Sequence, residues 1–269
     1  MSLSVIVKHS TAMKSTYRKE VGSALHKLNR NREEILTEND IQKLPMPVQK
    51  YLHFVGAVGK SKVQSVLIKA TGRIKSNPDD SQYMNFASEQ YNIFDKPFRA
   101  FYIKARKMGI PAIGLHLYKD VTAVMIIKIA GLFKVADARG PEMDKGETVT
   151  VFNDMCFMAP ACLIDPNIEW ELMDQLTVKA CFTNGPVKIS AVLTFDEEGK
   201  LVDFVSHDRY ETADGKIYRN YPWRTPVKEY GYFNGYNLPA KAEAIWVKPE
   251  GDFCYGIFNL NHIQYNVTL

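Results

Sequence analysis

The stretch Val63–Lys75, VQSVLIKATGRIK, marks the point at which the chain changes from helical to strand periodicity. Its side chains alternate between two sides, with Val66, Ile68 and Ala70 on one and Leu67, Lys69 and Thr71 on the other. A period of two residues is the pattern of a strand that buries one face. The turn-forming residues Asn77-Pro78-Asp79-Asp80 follow directly, so a second strand is expected to return beside the first.

Short strand candidates separated by turn signals fill most of the remaining chain, which predicts an antiparallel meander. The first group is Tyr83–Phe94, Phe98–Met108, Ile113–Tyr118, Val121–Ile129 and Leu132–Ala136. The second group is Trp170–Met173, Leu176–Phe182, Val187–Phe195, Leu201–Tyr210, Arg224–Phe233, Leu238–Val247 and Phe253–Val267. Asn184-Gly185 is a typical hairpin turn between two of these segments.

Helical periodicity is confined to the N-terminal region and to one central segment. The predicted helices are Thr11–Asn31, Glu38–Leu44 with Thr37 as N-cap, a helix from Pro47 to Gly56, and Asp144–Ala159. We therefore predict a mainly β (α+β) fold, a large curved antiparallel sheet or half-barrel. Residues 1–59 form a helical segment packed on the sheet, and residues 60–269 form the β part with helix 144–159 inserted, all within one structural domain.

Composition excludes several classes of protein. The 269 residues are 46% apolar and 24% charged with a formal net charge of +4, values that argue against disorder and against nucleic-acid binding. Basic residues are dense only in Lys14–Arg32. This stretch is interpreted either as a solvated helix face or as a contact surface for a membrane or an anionic partner.

The four cysteines, Cys156, Cys162, Cys181 and Cys254, form no CxxC pair, so we expect buried thiols in a reducing compartment. The six histidines are dispersed, and neither a metal site nor a cofactor is expected. Neither a signal peptide nor a transmembrane segment is evident, which predicts a cytoplasmic chain and leaves open an anchor upstream of Met1.

The central helix carries two acids, Glu147 and Asp154, that are seven residues apart and therefore share one face. They are candidates for acid–base chemistry or for binding a polar head group. The alternative is structural: a carboxylate–arginine pair, such as Asp154 with Arg209, that holds the helix to the sheet.

A second candidate is His207-Asp208-Arg209-Tyr210. In a continuous strand His207 and Arg209 would share a face, and His207 would be either a general base or an ordinary strand histidine. Aromatic residues are also dense between Tyr218 and Tyr236. They are interpreted as cross-strand packing or as the rim of an apolar pocket.

Three groups of residues, in this order, resemble a family of uncharacterised bacterial proteins of unassigned function. They are Leu44-Pro45, Pro47-Val48-Gln49, Tyr51-Leu52 and Val55-Gly56; then Asp137–Pro160 with Asp154, Phe157 and Pro160; then Asp208-Arg209-Tyr210, Pro222-Trp223, Tyr230, Gly235, Leu238-Pro239 and Trp246. The resemblance covers roughly residues 40–266. The chain departs from the family pattern at Thr150-Val151, where an arginine is usual, and at Phe157, where a tryptophan is usual.

The resemblance implies a half-barrel of the bacterial lipoprotein-carrier type, a fold that often holds acyl chains between sheet and helix. The leading hypothesis is thus a non-enzymatic protein that binds an apolar or amphipathic, lipid-like molecule there. Its expected binding residues are Glu147, Phe152, Asp154, Phe157, Met158, Arg209, Trp223 and Tyr230. One alternative is a hydrolase or isomerase that uses Asp154 or Glu147 with His207 and Arg209. The other is a structural or partner-binding protein.

Overall fold

A computed structural model describes residues 3–28, 34–107 and 109–267. Four α-helices are present in these residues: α1 (Leu3–His26), α2 (Glu38–Ile41), α3 (Met46–Phe54) and α4 (Pro141–Met158), with a 3₁₀ helix at Pro160–Ile164. The strands are β1 (Ser65–Ile74), β2 (Met84–Ile93), β3 (Phe98–Lys107), β4 (Ile110–Lys119), β5 (Thr122–Ile129), β6 (Phe133–Ala138), β7 (Ile168–Leu172), β8 (Thr177–Asn184), β9 (Val187–Phe195), β10 (Leu201–Ser206), β11 (Tyr210–Glu211), β12 (Arg219–Asn220), β13 (Trp223–Arg224), β14 (Val227–Phe233), β15 (Tyr236–Lys248) and β16 (Gly251–Tyr265).

Fourteen of these strands form one antiparallel sheet, which confirms the predicted mainly β half-barrel. The strand order is β6-β5-β4-β3-β2-β1-β16-β15-β13-β10-β9-β8-β7, with β14 paired to β15 beside this path. The first six strands are a simple meander. Strand β1 pairs with β16, so the first and last strands along the chain lie side by side in the middle of the sheet. The predicted alternation in β1 is confirmed, since Val66 and Ile68 are buried while Lys69 and Thr71 are exposed.

Helix α4 lies inside the curve of the sheet, where it contacts β5, β9 and β15. It begins at Pro141, three residues before the predicted start, because proline is well suited to the first turn of a helix. Most of its residues are buried, on every side of the helix. Because the helix is buried all round, its polar residues do not form a solvent-facing side.

Helix α1 covers the opposite, convex face of the sheet. Its buried stripe of Met13, Tyr17, Val21 and Leu25 packs on β3 and β4. Lys14 pairs with Glu89 of β2 at 2.7 Å, whereas Arg18 and Lys19 are exposed. The proposed membrane contact through Lys14–Arg32 stays a prediction, and Arg30 and Arg32, like the predicted helix end at Asn31, lie outside the described residues.

The helix predicted at Thr11–Asn31 is α1, which begins earlier, at Leu3, and ends at His26. Three further predicted elements differ from the structure. The helix predicted at Glu38–Leu44 is shorter and ends at Ile41. The strand predicted at Arg224–Phe233 is two strands, because Pro226 between them has no N–H to donate to a ladder. The strand predicted at Leu201–Tyr210 ends at Ser206. Of the four cysteines, Cys156 and Cys162 are buried as expected, whereas Cys181 and Cys254 are partly exposed.

None of the helices in the described ranges combines the length and apolar composition that a membrane crossing requires. Within the same ranges no group of three or more histidine, cysteine, aspartate or glutamate side chains is arranged to hold a metal ion.

Candidate functional site

The concave face of β1–β5 changes from polar to apolar along the strands, because residues that pair across neighbouring strands point to the same side. One row across the sheet pairs Asn92 with Arg99, and the next pairs Gln90, Phe101 and His116. Two further rows toward the other end consist mainly of small or apolar residues: Ser88, Ile103, Gly114, then Phe86, Ala105, Ala112. The sheet therefore presents a polar end and an apolar end to the same interior space.

A cavity of about 820 Å³ lies between this concave face and α4. Strands β15 and β16 form its other wall, and small side chains on both walls leave the space open: Ala105, Ala112, Gly114, Ala240, Ala242 and Ala244. Gly114 is required by close packing, since a Cβ there would lie 2.8 Å from Cγ2 of Ile103. The cavity is thus a consequence of small residues placed in register on neighbouring strands.

Arg99 joins the sheet to α4 at the polar end, which we call the cavity floor. Its Nη1 donates to Oε2 of Glu147 at 3.0 Å and its Nε donates to Oδ2 of Asp154 at 2.8 Å. Nη2 donates to Oε1 of Gln90 at 3.1 Å. The side chain of Arg99 is only 8% exposed, so its charge requires these partners.

Asp154 is held by more donors than Arg99 alone. Its Oδ2 also accepts hydrogen bonds from Nε2 of Gln90 at 2.7 Å and from Nδ2 of Asn92 at 2.8 Å. The prediction that Asp154 pairs with Arg209 is wrong. Arg99 takes that place because the antiparallel register brings β3 directly over the face of α4 that carries the acids.

The two acids of α4 differ in ionisation. Burial alone would raise the pKa of Glu147, but the neighbouring charges of Arg99, His116 and Arg209 outweigh it and lower that pKa to about 2. Burial dominates at Asp154 and raises its pKa above the usual range, despite Arg99 and Asn92. Glu147 is therefore ionised at neutral pH, while Asp154 is the acid that accepts a proton more readily.

Arg209 enters the cavity from the segment that follows β10. Its Nε donates to Oγ1 of Thr150 at 3.2 Å and its Nη1 donates to the hydroxyl of Tyr255 at 3.1 Å. The guanidinium carbon lies 4.3 Å from the centre of the Trp223 ring, a cation–π distance. Gly146 makes this approach to α4 close, since a Cβ there would lie 3.4 Å from Cγ of Arg209.

Six of the eight predicted binding residues line the cavity: Glu147, Asp154, Phe157, Met158, Arg209 and Trp223. Phe152 does not. It is five residues from Glu147 and so points to the other side of α4, where it stacks on Phe182 at 5.6 Å between ring centres. Tyr230 does not line it either, because β14 lies beside the main sheet and the Tyr230 hydroxyl donates to the carbonyl of Leu201.

The prediction that His207 and Arg209 share one face of a strand is wrong. The backbone N–H of Ser190 donates to the carboxylate of Asp208 at 2.7 Å, in the place where the next ladder bond would form, and β10 ends. His207 is exposed and does not line the cavity, so it cannot act with Glu147 or Asp154 as the enzyme hypothesis required.

Sequence reasoning missed the sheet side of the cavity floor: Gln90, Asn92, Arg99 and His116. Nδ1 of His116 lies 3.7 Å from Oε1 of Glu147. One signal was available, because Arg99 stands among Phe98, Ala100 and Phe101 in the apolar first half of β3. A charge at such a position indicates a buried partner.

Comparison with known proteins places the chain by family. No curated protein matches it. Among solved structures it is similar to a LolA superfamily protein from Nitrosomonas europaea, with 8% identity over 83% of this chain and 93% of that chain, at a TM-score of 0.43. The model of the Family of unknown function (DUF6544) matches residues 34–258, most of the sequence, and confirms the resemblance to a family of unassigned function. The chain belongs to this family.

Proposed function

We propose that the protein binds an apolar or amphipathic, lipid-like small molecule in the cavity between the curved sheet and α4. One observation carries the proposal: the sheet encloses about 820 Å³ of space with walls of small and apolar side chains. Cavities of roughly 300–1,000 Å³ with such walls are typical of small-molecule sites. A core of ordinary packing density would instead fill this space with side chains.

The entrance supports the same function. Three large apolar residues both line the cavity and are exposed: Ile110 by 51%, Ile129 by 38% and Val135 by 43%. They come from neighbouring strands, at the start of β4, the end of β5 and within β6. Exposed apolar residues grouped around a concave opening are typical of ligand-binding grooves. An apolar ligand would shield these side chains from water.

The test is binding of the uncharged fluorescent probe N-phenyl-1-naphthylamine to the full chain and to a variant with a filled cavity. Ala112→Trp places a large ring in the apolar part of the cavity. Ala87→Trp is the matched control, because Ala87 is an exposed residue of β2, in the same half of the sheet, and does not line the cavity.

Saturable binding at one site per chain is expected for the unmodified protein and for Ala87→Trp, and at least tenfold weaker binding for Ala112→Trp. Equal binding by all three proteins would mean that the probe binds outside the cavity. A chain that gives no saturable signal would contradict the proposed function. Native mass spectrometry of protein purified from cells, followed by extraction, would identify a resident ligand by its mass.

A further inference from the structure

Arg209 differs from Arg99 in having no carboxylate at hydrogen-bonding distance. Its bonds go to the neutral oxygens of Thr150 and Tyr255, and the closest carboxylate oxygen, Oε1 of Glu147, is 3.8 Å from Nη2. The side chain remains 15% exposed and lines the cavity. Nη2 therefore has hydrogens available to an acceptor that enters the cavity.

The acids of the cavity wall are matched more closely to other cations. Lys75, a further cation at the wall, lies over the ring of Tyr83, with its Nζ 4.8 Å from the ring centre. Glu211 pairs with Lys248 at 2.7 Å, and Glu243 pairs with Lys228 at 3.1 Å. Glu147 and Asp154 both accept hydrogen bonds from Arg99. In the described part of the chain, each acid that lines the cavity thus has a closer cation than Arg209.

Tyr255 supplies a second donor at the same place. Its hydroxyl oxygen accepts from Nη1 of Arg209 at 3.1 Å and from Nε1 of Trp223 at 3.0 Å. A hydroxyl has two acceptor positions and one hydrogen. Both acceptor positions are used by these two bonds, so the hydroxyl can still donate its hydrogen. Tyr255 lines the cavity, and its O–H is available to the same acceptor as Nη2 of Arg209.

The local charge suits one negative charge and not two. Glu147 is ionised and is shared between the two guanidinium groups, while Asp154 already accepts hydrogen bonds from Arg99, Gln90 and Asn92. A ligand group with one negative charge beside Arg209 would be compensated by the charge of the guanidinium. A doubly charged group would also be brought near the carboxylate of Glu147, and like charges in a low-dielectric site repel strongly.

We propose that the cavity binds a single-chain carboxylic acid whose carboxylate accepts hydrogen bonds from Arg209 and Tyr255 and whose apolar chain extends along the small residues toward Ile110. This inference rests on the proposed function and specifies the chemical class of its ligand. The rings of Trp223 and Trp246, whose centres lie 4.3 and 5.4 Å from the Arg209 guanidinium carbon, hold that group in position.

The experiment compares probes that share one chain and differ only in the head group: dodecanoate, dodecan-1-ol and dodecyl phosphate at pH 8. Each displaces N-phenyl-1-naphthylamine from the unmodified protein and from three variants. Arg209→Gln removes the cation, and Tyr255→Phe removes only the hydroxyl. Arg106→Gln is the control, since Arg106 is an exposed arginine of β3 outside the cavity.

Dodecanoate is expected to bind about 10- to 100-fold more tightly than dodecan-1-ol, as expected for a hydrogen-bonded charged group. Arg209→Gln should abolish this difference by weakening dodecanoate binding far more than dodecan-1-ol binding, and an unchanged far-ultraviolet circular dichroism spectrum shows that the variant folds. Tyr255→Phe should weaken dodecanoate binding about 3- to 10-fold. Arg106→Gln should match the unmodified protein.

Each other outcome overturns a specific statement. Equal affinity for dodecanoate and dodecan-1-ol would overturn the carboxylate site and leave the proposed function intact. Tighter binding of dodecyl phosphate than of dodecanoate would overturn the choice of a single charge. If the fluorophore binds and dodecanoate does not displace it, the carboxylate site fails and the proposed function stands. If the fluorophore itself does not bind, both fail.

Discussion

Arg99 and Glu147, which are 48 residues apart in the chain, are joined by a buried hydrogen bond of 3.0 Å between Nη1 and Oε2. The bond connects β3 of the sheet to α4 inside its curve. Because Arg99 also binds Asp154, one side chain holds two positions of α4 that are about two turns apart on the face that borders the cavity. The position of this helix, and hence the shape of the cavity, depends on a pairing between strand and helix.

Arg99→Met should lower the free energy of unfolding by about 3–5 kcal/mol, because it leaves two buried acids without their main cation. Arg106→Met is the matched control on the same strand. Because Arg106 is exposed, this substitution should change the free energy of unfolding by no more than about 0.5 kcal/mol. Urea denaturation followed by far-ultraviolet circular dichroism measures both. A loss below about 1 kcal/mol for Arg99→Met would mean that apolar packing alone holds α4.

Stability should depend on pH through Glu147. Its pKa is about 2 in the folded protein against 4.5 ordinarily, so its ionised form contributes stability that is fully present above about pH 4.5. This contribution is lost as the pH falls from 4.5 toward 2, with a slope approaching about 1.4 kcal/mol per pH unit. The raised pKa of Asp154 acts in the opposite sense, and because the charge of Glu147 contributes to it, Glu147→Gln lessens this opposing effect as well.

The measurement is the difference in free energy of unfolding between the unmodified chain and Glu147→Gln at a series of pH values. We expect the unmodified chain to be more stable at pH 6 and its advantage to shrink steadily below pH 4.5. Glu250→Gln, at an exposed position, serves as control and should show a difference that stays nearly constant. A constant difference for Glu147→Gln as well would contradict a lowered pKa.

Local pattern was enough to predict most of the strands. Val187–Phe195 was predicted with the observed ends, and Phe98–Met108 was one residue longer than β3. Burial alternates along β9, whereas Phe98–Tyr102 of β3 is buried on both faces, and each segment is bounded by turn residues whose effect is local. The acids of α4 were found for the same reason, since positions 147 and 154 must share a face of any helix.

The partners of these acids were not predictable from one sequence. Arg99 precedes Glu147 by 48 residues, and only the pairing of β3 with β2 and β4 brings it over α4. The end of β10 was missed because a side chain, Asp208, replaces a backbone acceptor of the ladder. Such replacements depend on tertiary position and leave no periodic signal.

Gly215 lies in the loop between β11 and β12, which borders the cavity, and we expect it to tolerate substitution poorly. Its φ is +84°, and a Cβ there would lie 2.4 Å from the backbone oxygen of Asp137. Gly215→Ala should lower the free energy of unfolding by about 2–4 kcal/mol, from backbone strain and overlap together. The loop includes Thr212 and Ala213, which line the cavity, so the same change should weaken ligand binding.

Gly59→Ala is the matched control, because Gly59 has a φ of +83° and nothing within 4 Å of the added Cβ. Gly59→Ala should lower the free energy of unfolding by about 1 kcal/mol, from backbone strain alone. The difference between the two variants is then the part due to overlap. Hydrogen exchange at the amide of Asp137, which donates to Asp214 at 3.3 Å, should accelerate in Gly215→Ala alone. Equal losses of stability in both variants would show that the loop yields without disturbing β6.

Labelling of the cysteines by iodoacetamide should show whether ligands enter without movement of α4. Cys156 of α4 is fully buried, and burial raises the pKa of its thiol and of that of Cys162. We expect Cys181 and Cys254 to be labelled in the folded protein, and Cys156 and Cys162 only in denaturant, as read by peptide mass spectrometry. Burial raises the pKa of Cys254 too, which should slow its reaction.

The informative comparison repeats the labelling during exchange of N-phenyl-1-naphthylamine. Entry through the opening beside Ile110 and Ile129 requires no separation of α4 from the sheet, so Cys156 should stay unlabelled throughout. The hydroxyl of Tyr51 donates to the carbonyl of Cys156 at 2.7 Å, and this bond must break before α4 can leave. Labelling of Cys156 at the rate of ligand exchange would show instead that the helix opens to admit the ligand.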